Sequence, residues 1–428
     1  MQTPTGASAP ALGSGRVLGL RCRACGQEYE TQATHVCSAC FGPLDVAYDY
    51  AEIGRRVSRA SIESGPTSMW RYRDLLPLPD EAPIVSLGEG LTPLIKADRL
   101  GTELGLRNLY LKNDSMNPTN SFKDRVVSVG ISWARSQGFE TFGCASTGNL
   151  ANSVAAYSAR AGLDCYVFIP DDTEAGKVAA TSVFQPNLVA VLGNYDQVNR
   201  LCSQLLEDLP WAFCNINVRP FYAEGSKTLA YETAEQLGWR LPDEIVIPIA
   251  SGCQFVRQRR ALAELVDLAL VPEPARLTRL TGAQALGCAP VYNAWQAGTQ
   301  RVEPVRPETI ARSIAIGSPS DGADVVRIAA ETDGVVEAVS EAEIVAAIRL
   351  LARTEGIFTE PAGGVTIGVL AKLARAGRWN GDEVVVAYVT GHGLKTAEVL
   401  AGLDLGRRIE IEPSLRSFHE KVLSTAKE

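Results

Sequence analysis

Histidine is scarce in this 428-residue chain, which contains three: His35, His392 and His419. Because a Ser-His-Asp triad or a Cys-His pair needs a histidine beside its nucleophile, such chemistry has few places to form. Long apolar runs are also missing, and the longest, such as Val384–Val389, fit buried strands rather than a membrane span. Residues 1–15 lack the basic start and apolar core of a secretion signal. We therefore expect a cytoplasmic protein without a membrane segment.

Positive charge is in short supply as well. The chain has 41 Lys and Arg against 49 Asp and Glu, a formal charge of -8, which gives no general affinity for nucleic acid. The one local basic cluster, Arg257, Arg259 and Arg260, lies on a predicted helix and is too small for a nucleic-acid-binding stripe. Apolar residues make up 46% of the chain, and its length exceeds that of a usual single core, so two or three domains are expected.

Four of the ten cysteines form two CxxC pairs, Cys22/Cys25 and Cys37/Cys40. Two such knuckles supply the four thiolates of a tetrahedral zinc site, and Gly26 and Gly42 permit the tight turns after them. With no open coordination position, the site would be structural rather than catalytic. A degenerate module without metal and a nucleic-acid-binding zinc ribbon are the alternatives, and the acidic composition disfavours the second. We expect a zinc-ribbon-like module at residues 1–48.

Residues 49–428 form the remaining region, in which short apolar runs alternate with small-residue loops and helical stretches. This order predicts an α/β fold with mostly parallel sheets, whose ligands collect where strands end. The predicted strands are 141–145, 164–169, 188–192, 244–250 and 383–390.

Three small-residue loops follow predicted strands. The first contains Ser146, Thr147 and Asn149, the second is residues 250–254, and the third includes Thr390. Hydroxyl and amide groups beside the free N–H groups of a helix start can cradle an anion. Each of the first two loops, taken alone, is more often an ordinary helix cap.

Lys123 lies in the segment NPTNSFKDR, residues 117–125, between a turn and a predicted helix start. Nearby helix N-termini and Arg125 would disfavour its cationic form and lower its pKa, as a Schiff-base lysine requires. On spacing alone, a surface salt bridge with Asp124 remains an equal alternative.

The order of these segments resembles that of the threonine synthases, which belong to the tryptophan-synthase-β-like, or fold type II, enzymes that use pyridoxal 5'-phosphate (PLP). Four further segments are similar: LGEGLTPL (87–94), EGSKTL (224–229), GAQALGCAP (282–290) and EGIFTEPAG (355–363). The resemblance implies two parallel-sheet α/β domains, the smaller at about 125–225 and inserted in the larger. It also implies a homodimeric carbon-oxygen lyase that converts O-phospho-L-homoserine and water to L-threonine and phosphate by γ-elimination and β-addition.

The resemblance also assigns roles to single residues. Lys123 corresponds to the lysine that forms a Schiff base with PLP and moves protons, and Asn149 to the residue that hydrogen-bonds the cofactor's 3'-oxygen. Thr390 corresponds to the hydroxyl facing the pyridine nitrogen. The cofactor phosphate would bind the loop Ala250, Ser251, Gly252, Cys253 and Gln254. Candidates for the substrate phosphate, from resemblance and charge, are Ser146, Thr147, Arg219 and Lys227.

Three positions depart from the family pattern: Asn120 stands where glycine is common, Cys253 lies in a less glycine-rich loop, and His392 replaces a smaller polar residue. None removes the lysine, but all three bear on the substrate. A paralogue acting on another phosphorylated amino acid, such as one making cysteate from phosphoserine and sulfite, is the alternative. A non-catalytic interaction protein is a further one, which the intact set of Lys123, Asn149 and Thr390 disfavours.

Overall fold

The computed structural model describes residues 15–146, 148–171, 173, 175–193, 195–401 and 408–423. Its strands are β1 (Val17–Cys22), β2 (Glu28–Tyr29), β3 (Leu44–Tyr48), β4 (Leu94–Lys96), β5 (Asn108–Asn113), β6 (Thr141–Ala145), β7 (Asp164–Pro170), β8 (Asn187–Val191), β9 (Ala212–Phe213), β10 (Glu244–Pro248), β11 (Arg279–Ala285), β12 (Val336–Val339) and β13 (Val384–Val389).

The helices are α1 (Tyr50–Arg56), α2 (Arg59–Glu63), α3 (Asp98–Leu104), α4 (Lys123–Ser136), α5 (Asn149–Ala161), α6 (Ala175–Ser182), α7 (Tyr195–Asp208), α8 (Arg219–Glu224), α9 (Lys227–Gln236), α10 (Cys253–Asp267), α11 (Pro290–Gln296), α12 (Gly322–Glu331), α13 (Glu341–Glu355), α14 (Pro361–Arg375) and α15 (Leu415–Phe418). Short 3-10 helices cover Met69–Leu75, Asp114–Met116, Arg312–Ile314 and Gly393–Leu400, and a π-helical turn covers His419–Leu423.

The largest sheet has six strands in the order β12-β11-β10-β13-β5-β4. All neighbours are parallel except β4, which pairs antiparallel with β5 at the edge. Every residue of β10 is buried, and so is most of β13. Central parallel strands need this continuous apolar character because helices cover both faces of the sheet.

A second sheet has four parallel strands in the order β8-β7-β6-β9. All four lie in the chain between β5 and β10, so this unit interrupts the six-stranded sheet in sequence. The α/β class with parallel sheets is therefore confirmed. We propose this four-stranded unit as the smaller subdomain, at about 125–225.

The predicted strands at 141–145, 164–169, 188–192, 244–250 and 383–390 correspond to β6, β7, β8, β10 and β13. The stretch after Thr390 contains a 3-10 helix that is broken by non-helical backbone at Thr396. No described helix has the length and apolarity to cross a membrane.

The cysteine segment forms an antiparallel three-stranded sheet in the order β2-β1-β3. The strand β3 ends at Tyr48, and Asp49 then caps α1 by accepting a hydrogen bond from Glu52 N. The expected module boundary at residue 48 coincides with this change from strand to helix, and it stays a prediction. Residues 1–14 of that module lie outside the described residues.

Candidate active site

Lys123 is the first residue of α4, at the carboxyl edge of the six-stranded sheet. Phe122 N donates to Thr390 O at 2.8 Å, and Ser121 forms an isolated bridge with Gly391, so the segment before the lysine is attached to the end of β13. The lysine Nζ donates to Tyr222 Oη at 3.0 Å. This brings the lysine, the end of β13 and α8 together.

The environment of the amine suits covalent chemistry. Burial lowers the pKa of Lys123, an effect that the neighbouring Cys253, Cys214 and Glu360 oppose. The pKa of Lys123 is lowered, as expected from the sequence, where Arg125 was given as one cause. That attribution is wrong, because Arg125 is held in ion pairs with Asp114 and Glu232 at 2.7 and 2.5 Å.

The alternative of a surface salt bridge with Asp124 is also wrong. Asp124 is buried, and its carboxylate accepts from Thr119 N and Oγ1 at 2.6 Å and from Ser153 Oγ at 2.7 Å. Burial, which outweighs these hydrogen bonds, raises the pKa of Asp124 to about 6. These contacts of Asp124 orient the turn before Lys123. The lysine amine instead donates to Tyr222 Oη.

Asn149, the first residue of α5, contacts a carboxylate. Its Nδ2 donates to both oxygens of Glu360, at 2.9 and 3.0 Å, and Ser313 Oγ donates to the same group at 3.3 Å. Glu360 N donates to Gly391 O at 3.1 Å, which ties this cluster to the loop after β13. Burial raises the pKa of Glu360, although the hydrogen bonds from Asn149 and Ser313 oppose this shift.

The loop 250–254 connects β10 to α10. Gly252 has φ +91°, and a Cβ there would lie 2.8 Å from Val325 Cγ2 and 3.0 Å from Asp321 Cβ. A side chain is therefore excluded by both conformation and space. Burial raises the pKa of Cys253, which keeps that thiol neutral and argues against a role as nucleophile.

The polar groups of this site fit PLP. The residues that precede α4, α5 and α10 make no side-chain hydrogen bond to these helices, and a helix start favours an anionic or polar group. Two buried polar atoms, Gln254 Nε2 and Ser121 Oγ, have no hydrogen-bond partner among the described residues. With a lysine of lowered pKa beside them, this donor set fits a phosphorylated aldehyde. Thr390 is almost buried at the end of β13, with 8% of its surface exposed.

The four candidates for the substrate phosphate have different surroundings. Arg219 is partly exposed, and its Nη2 donates to Ser320 Oγ and Asp321 Oδ2. Ser146 begins the loop after β6, and its N donates to Phe168 O at 3.1 Å. Thr147 lies outside the described residues.

Lys227 differs from the other candidates because it is 1% exposed. Its Nζ lies 2.8 Å from Glu224 and 3.0 Å from Glu264, and 4.4 Å from the centre of the Tyr48 ring. Its charge is thus already compensated inside the protein.

The four cysteines of the module converge as their spacing predicts. Their sulfurs all lie within 4.8 Å of one another, with Cys22 3.5 Å from Cys40 and Cys25 3.6 Å from Cys37. A Cβ at Gly42 would lie 2.9 Å from Cys22 Sγ, so the close approach of the second knuckle requires glycine there. Four convergent sulfurs fit a tetrahedral zinc ion.

Sequence reasoning missed three residues of the site: Tyr222, Glu360 and Asp321. Glu360 stood within a segment that carried the family resemblance, and its position before a proline at a helix start was a usable signal. Tyr222 and Asp321 had no local signal, since their importance depends on contacts with Lys123 and Arg219 that are distant in the chain.

Comparison with known proteins gives the site a context. Residues 85–391 match the family of pyridoxal-phosphate dependent enzymes, and residues 21–44 match the NinF protein family. Threonine synthase of Methanocaldococcus jannaschii is 39% identical over 377 residues, covering 88% of this chain and 92% of that protein. Threonine synthase of Methanosarcina acetivorans is 37% identical over 388 residues, covering 89% and 93%.

Solved structures show the same fold at lower identity. Threonine deaminase isoform 2 from Solanum lycopersicum has a TM-score of 0.61 at 21% identity, over 74% of this chain and 84% of that one. Maize serine racemase has a TM-score of 0.60 at 19% identity, over 72% and 90%.

Proposed function

The chain belongs to the pyridoxal-phosphate dependent enzymes and, among them, to the threonine synthases, and on this basis we propose that it converts O-phospho-L-homoserine and water to L-threonine and phosphate. The observation that carries the proposal is the setting of Lys123. The amine has a lowered pKa, starts a helix, and lies among uncapped helix N-termini at the carboxyl edge of a parallel sheet.

The residues that would hold PLP are those identified from the sequence. Lys123 would attach it covalently, and the N–H groups of residues 250–254 would bind its phosphate. Asn149 would hydrogen-bond its 3'-oxygen, and the hydroxyl of Thr390 would face its ring nitrogen. When bound, the cofactor supplies an electron sink for the α-carbon of an attached amino acid. The neutral hydroxyl of Thr390 does not force protonation of a ring nitrogen, which suits elimination and replacement better than transamination.

Lys123 is the proton carrier of the proposal. Its amine, once free, would move two protons in turn: the Cα proton, which is returned to Cα at the end, and a Cβ proton, which is delivered to Cγ after phosphate has left with the bonding electrons. Water would then add its hydroxyl at Cβ and give its other proton to the phosphate. Tyr222 holds the amine 3.0 Å from its own oxygen, which restricts where the amine can move. Glu360, which accepts a hydrogen bond from Asn149, is a second ionisable group in the same site.

Recognition of the substrate phosphate needs a cation that can reorient. Arg219 meets this requirement, because it is partly exposed and bonds to Ser320 and Asp321 rather than being enclosed. Ser146 remains a candidate donor in the loop between β6 and α5. Lys227 is left out of this proposal, since turning its amine toward a substrate would leave Glu224 and Glu264 without it in a buried setting.

The module would hold one structural zinc ion through Cys22, Cys25, Cys37 and Cys40, and the sulfur geometry supports this assignment. We also propose a cytoplasmic homodimer that acts on a small phosphorylated amino acid, with neither nucleic acid nor a membrane as a partner. The net negative charge of the chain supports the absence of a nucleic-acid partner.

The purified protein, loaded with PLP, should release phosphate from O-phospho-L-homoserine and form threonine in equal amount. Lys123→Ala should show neither product, and borohydride reduction of the parent should attach a pyridoxyl group to Lys123. Phosphate release from phosphoserine with sulfite, without threonine formation from phosphohomoserine, would overturn this substrate in favour of the paralogue. A parent protein that acquires no pyridoxyl group would overturn the enzyme assignment itself.

A further inference from the structure

The cysteine module contacts the catalytic region through the side chain of Arg23. This arginine stands inside the first knuckle, between Cys22 and Cys25. Its Nη1 lies 2.9 Å from Asp321 Oδ1 and 2.5 Å from Asp324 Oδ2, while its Nη2 lies 2.9 Å from Asp45 Oδ1. One guanidinium group therefore joins the module to the segment that precedes and begins α12, some 298 residues later in the chain.

Asp321 in turn contacts the loop expected to bind the cofactor phosphate. Its backbone N donates to Ser251 O at 2.9 Å, and its Cβ stands against Gly252, where an added methyl group would lie 3.0 Å away. The side chain of Asp321 is 2% exposed. Any displacement of this residue would thus be transmitted to residues 251 and 252, because no space separates them.

The two oxygens of Asp321 have different partners. Oδ1 contacts Arg23, and Oδ2 accepts from Arg219 Nη2 at 2.5 Å. Arg219 is the residue proposed to meet the substrate phosphate. When Arg219 turns to a substrate, Arg23 would be the cation that remains to compensate Asp321.

The charges around this point are balanced. A small cavity between module and loop is lined by Arg23, Arg219, Arg257 and Asp321, together with Cys253 of the loop. Asp45 and Asp324 compensate the remaining arginine charge. Loss of Arg23 would leave excess carboxylate beside a loop that has to receive an anionic phosphate, and like charges at this distance repel.

We propose that Arg23 is a positioning residue of the catalytic site, which holds Asp321 and thereby the loop 250–254 in the geometry that binds the cofactor phosphate and leaves Arg219 available to substrate. The inference rests on the proposed function. It makes the module part of the active site rather than an independent appendage.

The test is Arg23→Gln, with Arg21→Gln as the matched control. Arg21 lies two residues earlier, on β1, and pairs with Glu28 at the surface, with 61% and 68% of the two side chains exposed. Zinc content and far-UV circular dichroism should be unchanged in both variants. The dissociation constant of PLP, measured from the absorbance of the lysine-bound cofactor, should rise at least fivefold in Arg23→Gln only. With PLP saturating, KM for O-phosphohomoserine should also rise at least fivefold, and kcat should stay within twofold.

Two further variants keep the outcome interpretable. Arg23→Lys retains the positive charge on a shorter side chain, so its affinity for PLP should lie between those of the parent and Arg23→Gln. If Arg23→Gln fails to fold, Arg23→Lys takes its place in the test. The pair Arg23→Gln and Asp321→Asn should be no weaker in PLP binding than Asp321→Asn alone if the arginine acts through the aspartate. A lower melting temperature with unchanged PLP affinity and KM would overturn the proposal, since that is the result of a purely structural contact. A parent chain that binds no PLP would instead contradict the proposed function.

Discussion

Three features define the setting of Lys123: the backbone hydrogen bond between Phe122 and Thr390, the hydrogen bond from its amine to Tyr222, and the burial that lowers its pKa. The first fixes where the residue lies and the third makes its amine reactive. The second decides which way the amine points. A lysine side chain has four rotatable bonds, so a single hydrogen bond at its end matters for a reaction that moves protons at two carbons.

Tyr222→Phe should separate orientation from binding. The net value of such a hydrogen bond is about 1 kcal/mol, which corresponds to a fall in kcat of about fivefold. The dissociation constant of PLP should change less than twofold, because the ring of residue 222 is retained. Steady-state kinetics with saturating cofactor checks this. Equal loss of kcat and of cofactor affinity would show that Tyr222 shapes the pocket rather than the position of the amine.

Asp124 gives the site a defined pH response. Its pKa in the folded chain is about 6, above the ordinary value of 3.8 because of burial. A group whose pKa is raised by folding contributes stability that is present at low pH and is lost as the pH rises through its folded value. The ionised form therefore costs the folded chain about 2 to 3 kcal/mol at pH 7, given about 1.4 kcal/mol per pKa unit.

Asp124→Asn should remove this response, since an amide can still accept from Thr119 and does not ionise. The difference in melting temperature, Asp124→Asn minus parent, should increase as the pH rises from about 4 to 7. Asp164→Asn, which changes an exposed carboxylate at the start of β7, should show a constant difference. Parallel curves for the parent and Asp124→Asn would mean that the carboxylate is solvated in the folded chain.

At the scale of elements, the site is built from the beginnings of three helices rather than from their bodies. The helices α4, α5 and α10 start without a side-chain cap because the residues before them are Phe122, Gly148 and Gly252, whose side chains carry no hydrogen-bond acceptor. Free N–H groups at a helix start favour an anion through both hydrogen bonds and the helix dipole. Sequence patterns predicted these helix starts because strands, loops and helices follow one another locally.

Gly252→Ala should weaken PLP binding at least tenfold. The new methyl group would meet Val325 Cγ2 and Asp321 Cβ at about van der Waals overlap, and the positive φ adds strain, so the loop has to move. Gly162→Ala is the matched control, because Gly162 also has positive φ, at +66°, but nothing lies within 4 Å of an added Cβ. Both variants should lose some thermal stability, and cofactor titration should distinguish them. Equal PLP affinity in the two would show that the loop does not carry the cofactor phosphate.

At the scale of the whole molecule, the sequence predicted five of the parallel strands, the order of the loops and the cysteine cluster, because each has a signature within a few tens of residues. Long-range ion pairs had none. The basic cluster on α10 looked unusual in sequence, yet Arg257 and Arg260 both lie near Glu224, and Arg257 contacts Asp45 of the module. The ion pair of Lys227 had no local signature either, since only the packing of α9 against α10 brings Glu264 close enough to compensate its charge.

The module should need its metal to stay attached to the rest of the molecule. Its sheet is small, and domains of this size seldom have enough core to fold without a metal or disulfides. Cys40→Ser should therefore lower zinc content from one ion per chain toward zero, and it should reduce the melting temperature. Cys288→Ser changes a buried cysteine outside the cluster and should leave zinc content unchanged. Because Arg23 lies in the other knuckle, loss of zinc should also weaken PLP binding, and added zinc should restore it in the parent after chelation. Zinc-free parent protein with unaltered stability and PLP affinity would mean that the ion pairs of Arg23 and Arg257 hold the module without a metal.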